Sequence, residues 1–137
     1  MRGCQETITL FNARRDAGTG GHVYVPTVIR GCSWFGGVRR GLDAKGGLAA
    51  ADECTVRIPV DADFGGKAYV DPIAWRQAGG EDRFTIQGGD IVVKGAVEGD
   101  GWTPATLKAA FHGCFTVLGV TDNRSAPHGG HWRLVGA

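Results

Sequence analysis

No stretch of this chain reaches the roughly 18 consecutive apolar residues that a membrane-spanning helix needs. The N-terminal MRGCQETITL lacks the apolar segment of a secretory leader. The protein is therefore expected to be made and kept in a cytoplasm, unless it leaves as part of a larger assembly. Charge of one sign is missing too: 15 basic and 14 acidic residues leave a formal +1. No strong field then draws the chain to nucleic acid or to an anionic membrane. The four cysteines, Cys4, Cys32, Cys54 and Cys114, include no C-x-x-C pair and are widely spaced. Without a secretory context they read as reduced, mostly buried small hydrophobes and not as a disulfide framework. Cys114 follows His112 by two residues, which puts both on one strand face without making a catalytic dyad.

Glycine is what the chain has in excess, with 24 of 137 residues, more than double the roughly 7% of average proteins. Many come in pairs, such as Gly20-Gly21, Gly65-Gly66, Gly88-Gly89 and Gly129-Gly130, at irregular intervals that make no repeat. Paired glycines between apolar runs punctuate a chain into short strands. Residues 6–11 (ETITLF) alternate with Ile8 and Leu10 on one face, which predicts a half-buried strand. Residues 22–30 (HVYVPTVIR) predict another; Pro26 requires an edge strand, a bulge or two short strands there. Residues 32–39 carry Trp34 and Phe35 on opposite faces of a strand, and residues 36–52 read as a long flexible loop.

Further strands are expected at 53–60, 83–87, 91–97, 114–120 and 131–135. Asp71-Pro72 starts at most a turn or two of helix. Thr103-Pro104 opens the best helix signal, with Leu107, Ala110 and Phe111 on one apolar face and Gly113 as its stop. There is no βαβ alternation. A single mainly β domain over 1–137 is expected, a small barrel or sandwich of about six to eight short strands with one short helix and long loops.

The polar clusters of the chain read as ordinary turns. The closing stretch GVTDNRSAPHGGHWRLVGA holds Asp122, Arg124, His128 and His131. A zinc site needs three or four converging ligands. Asp, Asn, Pro and Gly are the residues of a hairpin turn, and that reading is preferred. Asp61 and Asp63 before Gly65-Gly66 hint at calcium, but no glutamate closes the loop. The segment 36–47 lacks the order of a phosphate-binding loop. Its Arg39, Arg40 and Lys45 form a basic cluster tempered by Asp43. Of the four tryptophans, an exposed one would mark an interface; Trp34, Phe35 and Trp132 are the candidate interface residues. No catalytic set, metal site or cofactor site is expected.

Three segments together carry a resemblance: TITLFNARRDAGTGGHVYVPTVIRGCSWFG, GGDIVVKGAV and FTVLGVTDNRSAPHGGHWRLVGA. Their order is a T-x-T-x-[FY]-N strand, a P-T-V-I-x-G-x-x-W segment, a G-D-x-[IV]-V-x-G segment, a T-D-N-R turn and a closing H-W strand. This resembles the minor capsid, or head-closure (head-completion), proteins of tailed phages and prophages, over most of the chain. The resemblance implies a small β-barrel that assembles as a homo-oligomeric ring in the virion neck. Its implied partners are the portal or adaptor, the tail proteins and the DNA passing through the channel, with no membrane and no cofactor. It also implies a channel-facing loop, for which 36–52 with Arg39, Arg40 and Lys45 is the matching segment. The alternatives are a tail-completion or tail-tube partner, and a small oligonucleotide- or ligand-binding barrel with Trp34, Phe35 and Arg39 on one stacking face. A metal-dependent enzyme using His112, His128, His131 and Asp122 ranks last.

Overall fold

The alternating TITLF segment becomes the middle of β1 (Glu6–Arg15), and its apolar side chains decide how the chain closes. Ile8 and Leu10 point to one side, Thr9 and Phe11 to the other, and all four are fully buried. A half-buried strand was expected; β1 is covered on both faces because a helix packs on its outer side. The computed structural model describes residues 4–15, 18, 20–36, 53–78, 82–127 and 129–137. The elements after β1 are β2 (His22–Gly36), β3 (Cys54–Pro59), β4 (Ala68–Tyr69), α1 (Pro72–Ala78), β5 (Arg83–Phe84), β6 (Ile91–Lys94), α2 (Pro104–Ala110), β7 (Cys114–Asn123) and β8 (His131–Gly136).

Six strands close into an antiparallel barrel in the order β1-β2-β3-β8-β7-β6. The other two, β4 and β5, form a small parallel pair beside it. The fold is thus a small, mainly β barrel with two short helices. The barrel interior holds Ile8, Leu10, Ile29, Val56, Ile58, Val92, Phe115, Val117 and Leu134. A second cluster, Phe11, Ile91, Val93, Val97 and Leu107, lies outside β1 and β6 under α2. This explains the unbroken apolar run at the start of β6, where residues of both faces need cover. α2 starts as the sequence predicts: the Thr103 hydroxyl accepts from Thr106 N, and the Thr106 hydroxyl accepts in return from Thr103 N. α1 is capped by Asp71, whose carboxylate accepts from Ala74 N at 2.8 Å.

β2 is a single strand of 15 residues and runs straight through Pro26. Pro26 faces Phe11 of β1, while β3 flanks β2 only from Ser33 onward, so the missing N–H breaks no ladder on that side. The irregularity falls instead at Gly31, which is skipped in the pairing of Glu6–Thr7 with Cys32–Arg30 and has φ +93°. Glycine takes that conformation without the steric cost of a Cβ. β2 ends at Gly36, and the expected loop beyond it lies outside the described residues.

Gly136 is a different kind of glycine. It sits between Cys54 of β3 and Val117 of β7, and a Cβ there would meet the Thr116 carbonyl and the Phe115 ring. Forced overpacking of this sort costs about 1–3 kcal/mol. Gly136→Ala should lower the unfolding free energy read from a urea titration by that amount, and an unchanged value would mean that the barrel does not hold this close approach.

Candidate functional site

Two surfaces of the barrel stand out once burial and register are combined. The first is the outer face of β2, β3, β8 and β7. Along β3 and β8 the buried positions are Val56, Ile58, Trp132 and Leu134, so Thr55, Arg57, Arg133 and Val135 point outward. Phe35, Thr55 and Val135 lie in one cross-strand row. The register of β7 shifts between Val117 and Gly119; Gly119 pairs with Val135, and the skipped Leu118 lies beside it at the end of the row. Phe35 is 69% exposed and Leu118 71% exposed. The adjacent row is Ser33, Arg57, Arg133 and Thr121. Arg57 and Arg133 are therefore direct cross-strand neighbours of like charge, an arrangement that destabilises a sheet. Neither is ion-paired to a described carboxylate.

The second surface is built on a buried polar network. β1 pairs with β6 only from Ile8 to Phe11, so residues 12–15 and 22–25 continue as a two-stranded ribbon. Asn12, fully buried at the root of this ribbon, treats Thr85 as a ladder partner. Its Nδ2 donates to Thr85 O at 2.8 Å and its Oδ1 accepts from Thr85 N at 3.1 Å. The same Nδ2 donates to Asp90 Oδ2 at 2.7 Å. Asp90, 1% exposed, also accepts from Ala13 N at 2.9 Å and from Gln87 Nε2 at 3.2 Å. Trp75 of α1 donates its indole N–H to Ala13 O at 3.0 Å. Between the ribbon, α1 and the turn 87–90 lies a cavity of about 630 Å³ whose lining includes Arg14, Arg15, His22, Arg76, Gln87 and Asp90.

Burial raises the Asp90 carboxyl from 3.8 to about 6, against the opposing pull of the Ala13, Asn12 and Gln87 donors. Burial likewise pushes the Cys32 thiol up to about 12, with Cys4 adding to the effect, and raises that of Cys114, where Lys108 pulls the other way. Neither thiol has the lowered pKa of an activated nucleophile.

The residues singled out by sequence separate into these two surfaces and the core. Phe35 is at the exposed row. Trp34 is half-buried, edge-on to Phe115 at 5.3 Å, with Lys94 Nζ 5.8 Å above its ring. Trp132, a candidate for core or interface, is 4% exposed and belongs to the core of this barrel. The turn that follows β7 covers it: Asp122 grips Arg124 through two nitrogens, and that guanidinium lies 5.3 Å over Trp132 and 5.0 Å over Tyr69. The pair holds Asp122 below the usual carboxylate range and Arg124 above its own. His131 Nδ1 sits 2.9 Å from Gly129 O, not beside Asp122. Asp63 accepts from Gly65 N, closing a turn. Among the described residues no three His, Cys, Asp or Glu side chains gather as a metal site would require. Arg39, Arg40, Lys45 and His128 lie outside the described residues.

A family model matches residues 4–137. The chain belongs to DUF6751, a family of unknown function. No curated protein and no solved structure matches it. Asn12, Asp90, Arg14 and Arg76 were not singled out by sequence reasoning. Asn12 and Asp90 stood inside quoted strand motifs, but their pairing needs the register of the folded barrel.

Two outcomes test the buried network. Asn12→Ala removes three hydrogen bonds and strands the Thr85 backbone, which should cost about 3 kcal/mol in urea unfolding. For Asp90, the unfolded chain releases the proton near 3.8 and the folded chain near 6. Between those values the native state binds more protons, so stability should fall as pH rises from about 4 to about 6, by roughly 3 kcal/mol in all. Asp90→Asn should lack that fall across a pH series of urea titrations, and a slope identical to wild type would place the titration elsewhere.

Proposed function

We propose that this protein is a structural subunit of a phage or prophage virion, assembling as a ring in the neck between portal or adaptor and tail. One observation carries the reading: the outward row of Phe35, Val135 and Leu118 beside the opposed pair Arg57 and Arg133. Isolated in water, that face exposes large apolar side chains and holds two like charges together. An acidic, partly apolar surface on a neighbouring copy would relieve both. Each copy would use one patch against a different patch of the next, which is the contact geometry that generates rings. The strand and turn motifs quoted above support the neck assignment by resemblance.

In this reading the subunit works through surfaces and performs no turnover. It is made in the bacterial host and ends in the virion. Arg39, Arg40 and Lys45 supply the charge that faces DNA in the channel. A tail-completion role is the neighbouring possibility within the same structural class, and supplied partner rings separate the two.

Light scattering of the purified chain, alone and mixed with a portal ring, is the deciding measurement. A ring-sized species, or a monomer that joins the portal, is expected. Phe35→Ser combined with Leu118→Ser should weaken that association by about tenfold or more while leaving the melting temperature nearly unchanged, because exposed side chains contribute little to the fold. A stable monomer at every concentration that joins neither portal nor tail rings would sink the proposal.

A further inference from the structure

The cavity at the ribbon tip gathers positive charge from separate parts of the chain. Arg14 and Arg15 come from β1, His22 opens β2, and Arg76 comes from α1, some sixty residues further on. None of these arginines is ion-paired to a described carboxylate. The one described carboxylate in the lining is Asp90, and both its oxygens already accept from N–H groups of Ala13, Asn12 and Gln87. Three arginines thus line a cavity whose one described carboxylate has its hydrogen-bonding capacity largely spent. Gathering cations with so little counter-charge among the described residues is unfavourable. An anion in the cavity removes that cost.

The geometry also restricts the anion. Guanidinium groups present planar forks of N–H donors, which suit the paired oxygens of a phosphoryl group. Arg14 is held in advance: its guanidinium lies 5.9 Å over the Trp75 ring, and its neighbour Ala13 is bonded on one side to Asp90 and on the other to Trp75. The volume, about 630 Å³, is far more than inorganic phosphate requires and falls in the range of sites for small organic ligands. We infer that this cavity binds a phosphoryl group carried on an organic body of nucleotide size. A free nucleotide and a nucleic-acid strand share this chemistry. The inference is independent of the neck reading, since it rests on a different surface.

The test is an NMR titration of the full chain, following the Trp75 indole N–H and the Gln87 side-chain amide. Probes are inorganic phosphate, deoxyadenosine monophosphate, a short oligothymidylate and a glutamate-rich peptide. Saturable shifts of both resonances with the mononucleotide are expected, tighter than with inorganic phosphate. Arg14→Gln with Arg76→Gln should weaken binding by about tenfold or more, equivalent to about 1.4 kcal/mol. Arg76→Gln alone, on an exposed helix position, gives the same direction should the double variant fold poorly. Tighter binding of the oligothymidylate would identify a strand as the source, and equal or weaker binding a free nucleotide. The inference is overturned by the absence of saturable shifts with both nucleotide probes, by arginine variants that bind like wild type, or by a glutamate-rich peptide that binds as tightly.

Discussion

The Asn12 side chain is the hub of the hydrogen bonds that hold one side of this barrel. Its amide offers Thr85 one donor and one acceptor, as a neighbouring peptide group would. The segment 85–90 lies outside the barrel strands; Asn12 fastens its start to β1, while Gln87 and Asp90 bond Ala13 and residues 89–90 bond the backbone of Val117 in β7. The same amide reaches Asp90, Asp90 reaches Ala13, and Ala13 holds Trp75 of α1. Such a network works only when each member is satisfied, because unpaired polar groups are costly in a dry interior. Its own cost is visible in the carboxyl of Asp90, which burial lifts to about 6.

The motifs that gave the sequence its resemblance turn out to be couplings within the fold. Thr9 of the T-x-T strand donates its hydroxyl to Gly95 O at 2.7 Å and accepts from Val97 N at 2.9 Å, clamping the turn after β6. Asn12 closes that first motif and Asp90 opens the G-D segment, and the two are hydrogen-bonded across 78 residues. Gly31 supplies the positive φ at the irregularity of β2. The T-D-N-R turn places Arg124 over the tryptophan of the closing strand. With the polar motif residues engaged in holding the barrel, function falls to the surfaces left over.

Those surfaces lie at opposite ends of β2. Phe35 sits at its end beside the bulge of β7, and His22 at its start beside the arginines of the ribbon and α1. An apolar row next to opposed arginines suits a protein partner; a cavity with arginines in its lining suits a small anion.

Local order was legible in the sequence because its causes are local. Alternation of Ile8 with Leu10 and of Val56 with Ile58 follows from the two-residue period of a strand, and Thr103-Pro104 announces a helix start through its own hydroxyl and ring. The sequence by itself therefore determined strand-rich architecture, the position of α2 and the glycine punctuation between strands. Tertiary structure alone decided barrel closure, the passage of β2 through Pro26, the burial of Trp132 beneath Arg124, and the placement of Arg14 and Arg76 on one cavity. Each of these depends on register and packing between segments distant in the chain, where a shift of one residue would turn every side chain to the opposite face.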